Sequence, residues 1–163
     1  MRADMTGDLH ARIIACGKWQ GYVGCMPGLL EEALVALDQS KPLYLLGGFG
    51  GTAAALALAL AGDDERLRAR LMLPGDEPDR LGEAHQRTDA AYAAALDYYR
   101  RQAAPDMTQV DYSGATERLA SAGFAGLNNG LETEENEILL TTTDIHQAMG
   151  LVFAGLRRLF PAA

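Results

Sequence analysis

The stretch KPLYLLGGFGGTAAALALAL, residues 41–60, decides how this chain is interpreted. It carries no charge from Pro42 to Gly62, a run long enough to cross a bilayer. However, the glycine pairs on either side of Phe49 would weaken a transmembrane helix at its centre, and alanine contributes little to insertion. Acidic residues follow at once, without the aromatic belt or basic flank of a membrane boundary. The sequence therefore predicts that this stretch does not span a membrane.

The same stretch fits a strand, a turn and a helix inside a globular domain. Residues 42–46 form a short apolar run suited to a strand buried on both faces. A glycine turn over 47–51 follows, and the alanine- and leucine-rich residues 52–61 favour a buried helix. A similar unit precedes it, with a strand over 11–15, a glycine-rich loop and a helix over 28–37. Two such units predict an α/β, Rossmann-like, three-layer fold with a parallel sheet.

Beyond these units the sequence predicts mainly helices. The predicted segments are a charged helix over 63–70, a surface loop over 71–80, helices over 82–101 and 115–122, and a loop over 123–130. A third strand is predicted near 137–143. The sequence predicts a single domain over 1–163. Because so few strands are predicted, this domain is a candidate for the C-terminal part of a larger domain, whose sheet a longer protein or an oligomer would complete.

Two helix starts are predicted from capping residues near the end of the chain. Thr133, followed by two glutamates, is a predicted N-cap, and Asp144 is predicted to cap an amphipathic helix that ends at Leu159. The residues of this last helix that are predicted to face inward are Ile145, Met149, Val152, Leu156 and Leu159.

Charge and cysteine usage narrow the classes of partner. The 163-residue chain has a formal net charge of −8, which would repel a nucleic-acid backbone and an anionic membrane surface, so neither partner is expected. Cys16 and Cys25 are not spaced as metal ligands, and no metal is expected. Two thiols and an N-terminus without an apolar signal core predict a cytoplasmic location.

The glycine loops are the candidate binding elements. Residues 48–53 match G-x-G-x-x-A between a strand and a helix, which is the context of a dinucleotide-binding turn. The motif alone leaves phosphate binding and a plain tight turn equally open. The earlier loop, 17–32, holds one cation, Lys18, and two carboxylates, Glu31 and Glu32. Because parallel strands end at one sheet edge, both loops are predicted to meet there, where open α/β sheets bind ligands.

Taken together, the two glycine loops resemble those of a known protein family. The pairing of G-K-x-x-G-Y-x-G-x-M-P-G-x-x-E-E from residue 17 with K-P-L-Y-L-L-G-G-F-G-G from residue 41 is similar to the SLOG superfamily. These Rossmann-like domains are related to the LOG phosphoribohydrolases and to the DNA-processing DprA proteins. Within the superfamily the chain looks closest to bacterial nucleotide-sensor domains attached to antiviral and NAD-linked effectors. Cys16 stands where such members often have glycine.

The resemblance implies a nucleotide ligand and no other cofactor. It places Arg2 about where family members supply a phosphate-binding arginine, and Glu31 at the glutamate of the LOG motif, whose P-G-G head and threonine are missing here. The candidate ligand-binding residues are Arg2, Gly17, Lys18, Gly21, Tyr22, Gly24, Gly28, Glu31, Glu32, Gly47, Gly48, Phe49, Gly50 and Gly51.

Two functions follow from these residues. The first is a sensor that binds an NAD-derived or cyclic ADP-ribose-like nucleotide and regulates an effector domain or protein, with self-association into a homo-oligomer. The alternative is an enzyme that cleaves the N-glycosidic bond of a nucleoside phosphate with Glu31 as its catalytic residue. The incomplete LOG motif favours a binding module over an enzyme.

Overall fold

The computed structural model of the chain describes residues 2–18, 27–63 and 112–161. Their elements, in chain order, are α1 (Arg2–Gly7), β1 (Arg12–Ala15), α2 (Gly28–Asp38), β2 (Leu43–Leu46), a 3₁₀ turn (Gly47–Phe49), α3 (Gly51–Leu60), α4 (Tyr112–Gly126), α5 (Thr133–Thr141) and α6 (Ile145–Leu159). The predicted surface loop over 71–80 and the helix over 82–101 lie outside the described residues, as does nearly all of the predicted helix over 63–70.

The two strands form the predicted parallel pair. Their register runs from Arg12 opposite Leu43 to Ala15 opposite Leu46, and α2 makes the crossover between them. Since a crossover helix returns the chain to the start of the next strand, α2 begins at the carboxyl edge of the sheet and ends at the other. Residues 43–60 therefore form β2, a glycine turn and α3. Within the described ranges, no helix has the length and apolar character that crossing a membrane requires.

Helices pack against both faces of this small sheet. On one face Ile14, Leu43 and Leu45 are buried in a cluster with residues of α2, α3 and α4. On the other face Tyr44 and Leu46 pack with residues of α5 and α6. The register explains this division, because side chains alternate between the faces along each strand. The predicted α/β class is thus confirmed, and the layers are compatible with a Rossmann-like fold.

The third strand predicted near 137–143 is wrong, because most of this segment belongs to α5 (Thr133–Thr141). Its buried residues, Asn136, Leu139 and Leu140, have the spacing of a helix face. The helix starts with a capping box between Glu132 and Glu135, so the N-cap lies one residue before the predicted Thr133. Glutamates in the first turn favour a helix through its dipole, and this outweighs the strand preference of the later threonines.

Helix α6 starts at the predicted cap but faces a different way. The Asp144 side chain accepts from the amide groups of His146 and Gln147, which confirms the N-cap. The buried residues are Ala148, Val152 and Gly155. Val152 is buried as predicted, and the prediction is wrong for Ile145 and Leu159, which are exposed. The small residues of α6 face the sheet because that face comes close to Tyr44.

An ion pair joins α5 to α6. Arg158 Nη2 lies 2.8 Å from Glu135 Oε1, and Arg158 Nη1 also donates to the Gly130 carbonyl oxygen at 2.8 Å. The hydrogen bond from Arg158 is the main reason that the pKa of Glu135 falls from 4.5 to about 2, and the Glu132 amide group adds to the effect. The pair therefore stabilises the folded protein when the carboxylate is charged.

We expect Glu135→Gln to lower the urea midpoint at pH 7. The folded pKa is depressed, so this stabilisation is complete above about pH 4.5 and is lost as the pH falls through 2. The difference between wild type and Glu135→Gln should therefore shrink steadily when unfolding is repeated from pH 5 down to about pH 2. Glu134→Gln, in the same helical turn and exposed, is the control. A difference independent of pH would contradict the assignment.

Candidate functional site

The two glycine loops meet at the carboxyl edge of the sheet, as predicted. The Thr52 amide group donates to the Gly17 carbonyl oxygen at 3.1 Å, and the Ala53 amide group donates to the Cys16 carbonyl oxygen at 2.9 Å. The Thr52 hydroxyl donates to the Lys18 carbonyl oxygen at 2.9 Å. The start of α3 therefore holds the backbone of residues 16–18 in place as they leave β1.

This contact requires a glycine at position 51. A Cβ atom on Gly51 would lie 2.2 Å from the Gly17 carbonyl oxygen and 2.7 Å from the Cys16 carbonyl carbon. The backbone also has a φ of +60° there, which L side chains rarely adopt. Gly51 therefore allows two backbones to approach, and this is a packing role.

The other side of the glycine turn contacts the segment that joins α5 to α6. A Cβ atom on Gly48 would lie 2.0 Å from the Thr142 carbonyl oxygen, and one on Gly47 would lie 2.4 Å from that of Leu140. The Thr142 hydroxyl donates to Gln147 Oε1 at 2.6 Å and accepts from the Asp144 amide group. The glycine turn is thus enclosed between two backbone segments, and residues 141–147 lie at the same edge.

These contacts bear on phosphate binding by the G-x-G-x-x-A motif. Such a motif binds phosphate through amide groups at the helix start. Here the amide groups of Thr52 and Ala53 donate to the loop after β1, and that of Ala54 donates to the Gly50 carbonyl oxygen. Three amide groups of the first turn of α3 thus have protein acceptors. These contacts support the tight turn, one of the two alternatives left open by the sequence.

The start of α2 has a different arrangement. Its N-cap, Pro27, supplies no side-chain hydrogen bond, and the amide groups of Leu30 and Glu31 donate to the Pro27 carbonyl oxygen. Gly28 and Leu29 provide the first two amide groups of the helix, at the end where the helix dipole is positive. The start of α2 therefore fits an anion better than the start of α3 does.

The other predicted ligand residues of this loop fall into two groups. Lys18 is exposed at the edge, and Glu31 is partly buried in the first turn of α2. Gly21, Tyr22 and Gly24 lie outside the described residues. Arg2 begins α1, which packs against α2. The predicted ligand-binding residues that are described between positions 17 and 31 thus lie directly after β1 and at the start of α2.

Glu32 points to a different partner. Its carboxylate accepts from Arg12 Nη1 at 2.9 Å, and Arg12 Nη2 donates to the Thr6 hydroxyl at 3.0 Å. Arg12 is therefore a partly buried link between α1, β1 and α2. Glu32 carries this link, and Glu31 is the other carboxylate near the start of α2. The separation of 20 residues between Arg12 and Glu32 gives no sequence signal.

Cys16 and Phe49 connect the two loops directly. Cys16 has a φ of +56°, a left-handed conformation, at the position where similar domains often have glycine. Its exposed thiol donates to the Phe49 carbonyl oxygen at 3.3 Å. The Phe49 side chain packs with the cluster of Tyr44 and Leu46, so it serves the core. The Cys16 side chain thus occupies space at the carboxyl edge of the sheet that a glycine would leave empty.

A buried polar network fixes the outer edge of β2. Asn129 Nδ2 donates to the Leu43 carbonyl oxygen at 3.0 Å and to Asn136 Oδ1 at 2.8 Å. The Tyr44 hydroxyl donates to the Asn129 carbonyl oxygen at 2.7 Å, and burial raises the pKa of Tyr44 to about 12. The sequence predicts a loop over 123–130, and the structure buries Asn129 of that segment against the strand.

The comparisons with known proteins agree with this arrangement. A family model described as SLOG cluster2 matches residues 1–139, from α1 into α5. Comparison with curated proteins and with solved structures gives no match. The matched range contains both strands, both glycine loops and the crossover helix, and it supports a nucleotide-related domain. The resemblance inferred from the sequence is confirmed: this chain belongs to the SLOG cluster2 family.

Proposed function

We propose that this domain is a sensor that binds a nucleotide at the carboxyl edge of β1 and β2. The observation that carries the proposal is the contact between the two glycine loops, in which the start of α3 fixes the backbone of Cys16, Gly17 and Lys18. The backbone of residues 16–18, held in this way, needs no further ordering when a ligand arrives, which lowers the entropic cost of binding. The edge also lies where open α/β sheets bind ligands.

A phosphate group fits the start of α2 and Lys18. The exposed ammonium group of Lys18 and the amide groups of Gly28 and Leu29 are donors at the same edge of the sheet. Glu31, one turn into the helix, is placed to accept hydrogen bonds from ribose hydroxyls. The class of ligand that matches these groups is an NAD-derived or cyclic ADP-ribose-like nucleotide. Binding would be passed to an effector domain or protein, and to self-association of the chain.

The alternative function, cleavage of a nucleoside phosphate by Glu31, uses the same edge. It needs a carboxylate beside the anomeric carbon and a proton donor for the leaving base. The residue that follows Glu31, Glu32, is held by Arg12, so it serves the fold and not such a reaction. Glu31→Gln separates the two functions, because it would abolish turnover by an enzyme and would only weaken binding by a sensor.

We expect Lys18→Ala to weaken nucleotide binding by at least about tenfold, the effect of losing one charge-assisted phosphate contact. The measurement is equilibrium dialysis against NAD, ADP-ribose, cyclic ADP-ribose isomers and AMP, followed by chromatography of both chambers. Lys41→Ala is the matched control. It removes the same charge, but Lys41 Nζ donates to the Gly7 carbonyl oxygen near the opposite edge of the sheet.

Retention of an intact nucleotide by wild type and by Lys41→Ala, with loss in Lys18→Ala, supports the sensor. Conversion to free base and ribose phosphate, abolished in Glu31→Gln, supports the enzyme. Equal weakening by both lysine variants would mean that net charge and not this edge governs binding. No binding of any nucleotide in the panel would overturn both functions.

A further inference from the structure

Among residues 2–18, 27–63 and 112–161, no element covers the surface formed by α6 and the exposed side of β1. The side chains of Ile13 and Ala15 in β1 lie on the same face of the sheet as Tyr44 and Leu46 of β2. Tyr44 and Leu46 are buried beneath α5 and α6. On the β1 half of this face Ile13 is 44% exposed and Ala15 is exposed. A sheet in an α/β domain is normally covered on both faces. Half of one face therefore remains open beside α6.

A second apolar stripe of α6 borders this open half. It consists of Ile145, Met149, Phe153 and Leu156, whose spacing of 4, 4 and 3 residues places them on one side of the helix, and of Phe160, the residue that follows α6. Ile145, Phe153 and Phe160 are 48%, 54% and 48% exposed. The buried residues Ala148, Val152 and Gly155 form a separate stripe toward the sheet. Helix α6 is thus apolar on two adjacent sides, and one of them faces away from the core.

The stripe lies on the side of α6 toward β1. Phe160 contacts the ring of His10, two residues before β1, in an edge-to-face arrangement with centroids 5.8 Å apart. Leu156 and Ala11 both pack against the buried cluster that contains Tyr44, Leu46 and Val152. The stripe and the exposed face of β1 are therefore neighbouring walls of one apolar surface, which we call the α6–β1 surface. It consists of Ala11, Ile13, Ala15, Ile145, Met149, Phe153, Leu156 and Phe160.

We propose that the α6–β1 surface is the interface of a homodimer, in which a second copy of this chain lays its own α6 stripe against the first. The occupant must be a helix with an apolar stripe of matching spacing, and α6 itself meets this requirement. Two copies related by a twofold axis would pair their α6 helices antiparallel, with Phe153 near the axis because it lies close to the middle of the stripe. Each copy would then cover the open half-face of the other.

The area agrees with such an interface. A half-exposed phenylalanine offers about 100 Å² of surface, and the α6–β1 surface as a whole offers roughly 500 Å² per copy. Two such surfaces together come to about 1,000 Å², the lower bound for a specific interface. The SLOG cluster2 match ends at residue 139, before α6, so the interface is built mainly from an element outside the matched range. The inference specifies the surface for the self-association proposed above.

The test is sedimentation equilibrium of the full chain without nucleotide. We expect wild type to form dimers, and we expect Phe153→Glu to raise the dimer dissociation constant by at least about 100-fold, because it buries a charge at the centre of the interface. Met5→Glu is the matched control, since Met5 is 55% exposed on α1 and lies outside the α6–β1 surface. Its dissociation constant should equal that of wild type.

Further measurements show that a weakened dimer is not the result of misfolding, and they separate dimer formation from ligand binding. Ile145→Lys, at the far end of the stripe, should also weaken the dimer, and circular dichroism of both variants should match wild type. Because each copy carries a net charge of −8, added salt should strengthen the dimer by screening repulsion. Lys18→Ala should leave the dimer intact, so failure of the dimer and failure of nucleotide binding are distinguishable. A monomeric wild type at about 100 µM, or a folded Phe153→Glu that still dimerises, would overturn the proposal.

Discussion

Gly51→Ala should destabilise the protein by about 3 kcal/mol or more, and should abolish nucleotide binding at the same time. The added Cβ atom would lie 2.2 Å from the Gly17 carbonyl oxygen. That oxygen belongs to backbone held by α3, so it cannot move away without loss of the hydrogen bonds from Thr52 and Ala53. Overpacking of this kind costs about 1–3 kcal/mol, and the left-handed backbone adds about 1–2 kcal/mol for a non-glycine residue.

Gly62→Ala is the control that isolates the steric part. Gly62 has a φ of +68°, close to the +60° of Gly51, but a Cβ atom there would meet nothing within 4 Å. It should therefore show the backbone cost alone, about 1–2 kcal/mol. Both variants are compared with wild type by urea unfolding, and binding is measured by dialysis at a concentration where each remains folded. Equal destabilisation by the two substitutions would show that the loops do not pack as described.

Asn129→Ala should cost about 3 kcal/mol because several buried groups would lose their partners together. Asn129 is 2% exposed, and its side chain satisfies the Leu43 carbonyl oxygen, the Leu131 amide group and Asn136. A buried polar group left without a partner costs about 1–3 kcal/mol. Loss of the Asn129 amide would also release the outer edge of β2 from the 127–131 loop. Urea unfolding at pH 7 measures the change.

Two companion variants show whether hydrogen bonding or packing is responsible. Asn129→Leu retains the volume of the side chain but leaves the same backbone groups unpaired, so it should be about as unstable as Asn129→Ala. Asn128→Gly removes an exposed amide and suits the φ of +48° there, so it should change stability by less than about 1 kcal/mol. Recovery of wild-type stability in Asn129→Leu would mean that Asn129 acts through packing.

Much of the fold could be predicted because its signals are local. The short apolar run over 43–46, the glycines after it and the alanine-rich residues that follow predict a strand, a turn and a helix by their order. Asp144 marks a helix start in the same local way, through its own bonds to the next amide groups. The parallel pairing and the meeting of the loops follow from repetition of the same unit, since parallel neighbours end at one edge.

The candidate site was predictable in its position but not in the roles of its glycines. From the sequence, residues 48–53 could bind phosphate or form a tight turn. The choice depended on whether the loop after β1 accepts hydrogen bonds from Thr52 and Ala53. That contact joins residues more than 30 positions apart, and no local pattern records it. The position of Lys18 beside the start of α3 depends on the same contact.

The sequence by itself determined the α/β class, the SLOG resemblance and the meeting of the two glycine loops at one edge of the sheet, because each depends on periodicity or on motif order. Only the tertiary structure decided the pairing of Arg12 with Glu32 and the burial of Asn129. It also decided which side of α6 faces the core. The amphipathic pattern of α6 permits two apolar stripes, and the close approach of Gly155 to Tyr44 selects the stripe of small residues. These features arise from contacts between side chains that are distant in the sequence. The free energies of such contacts depend on distances in the folded protein, which no local sequence pattern specifies.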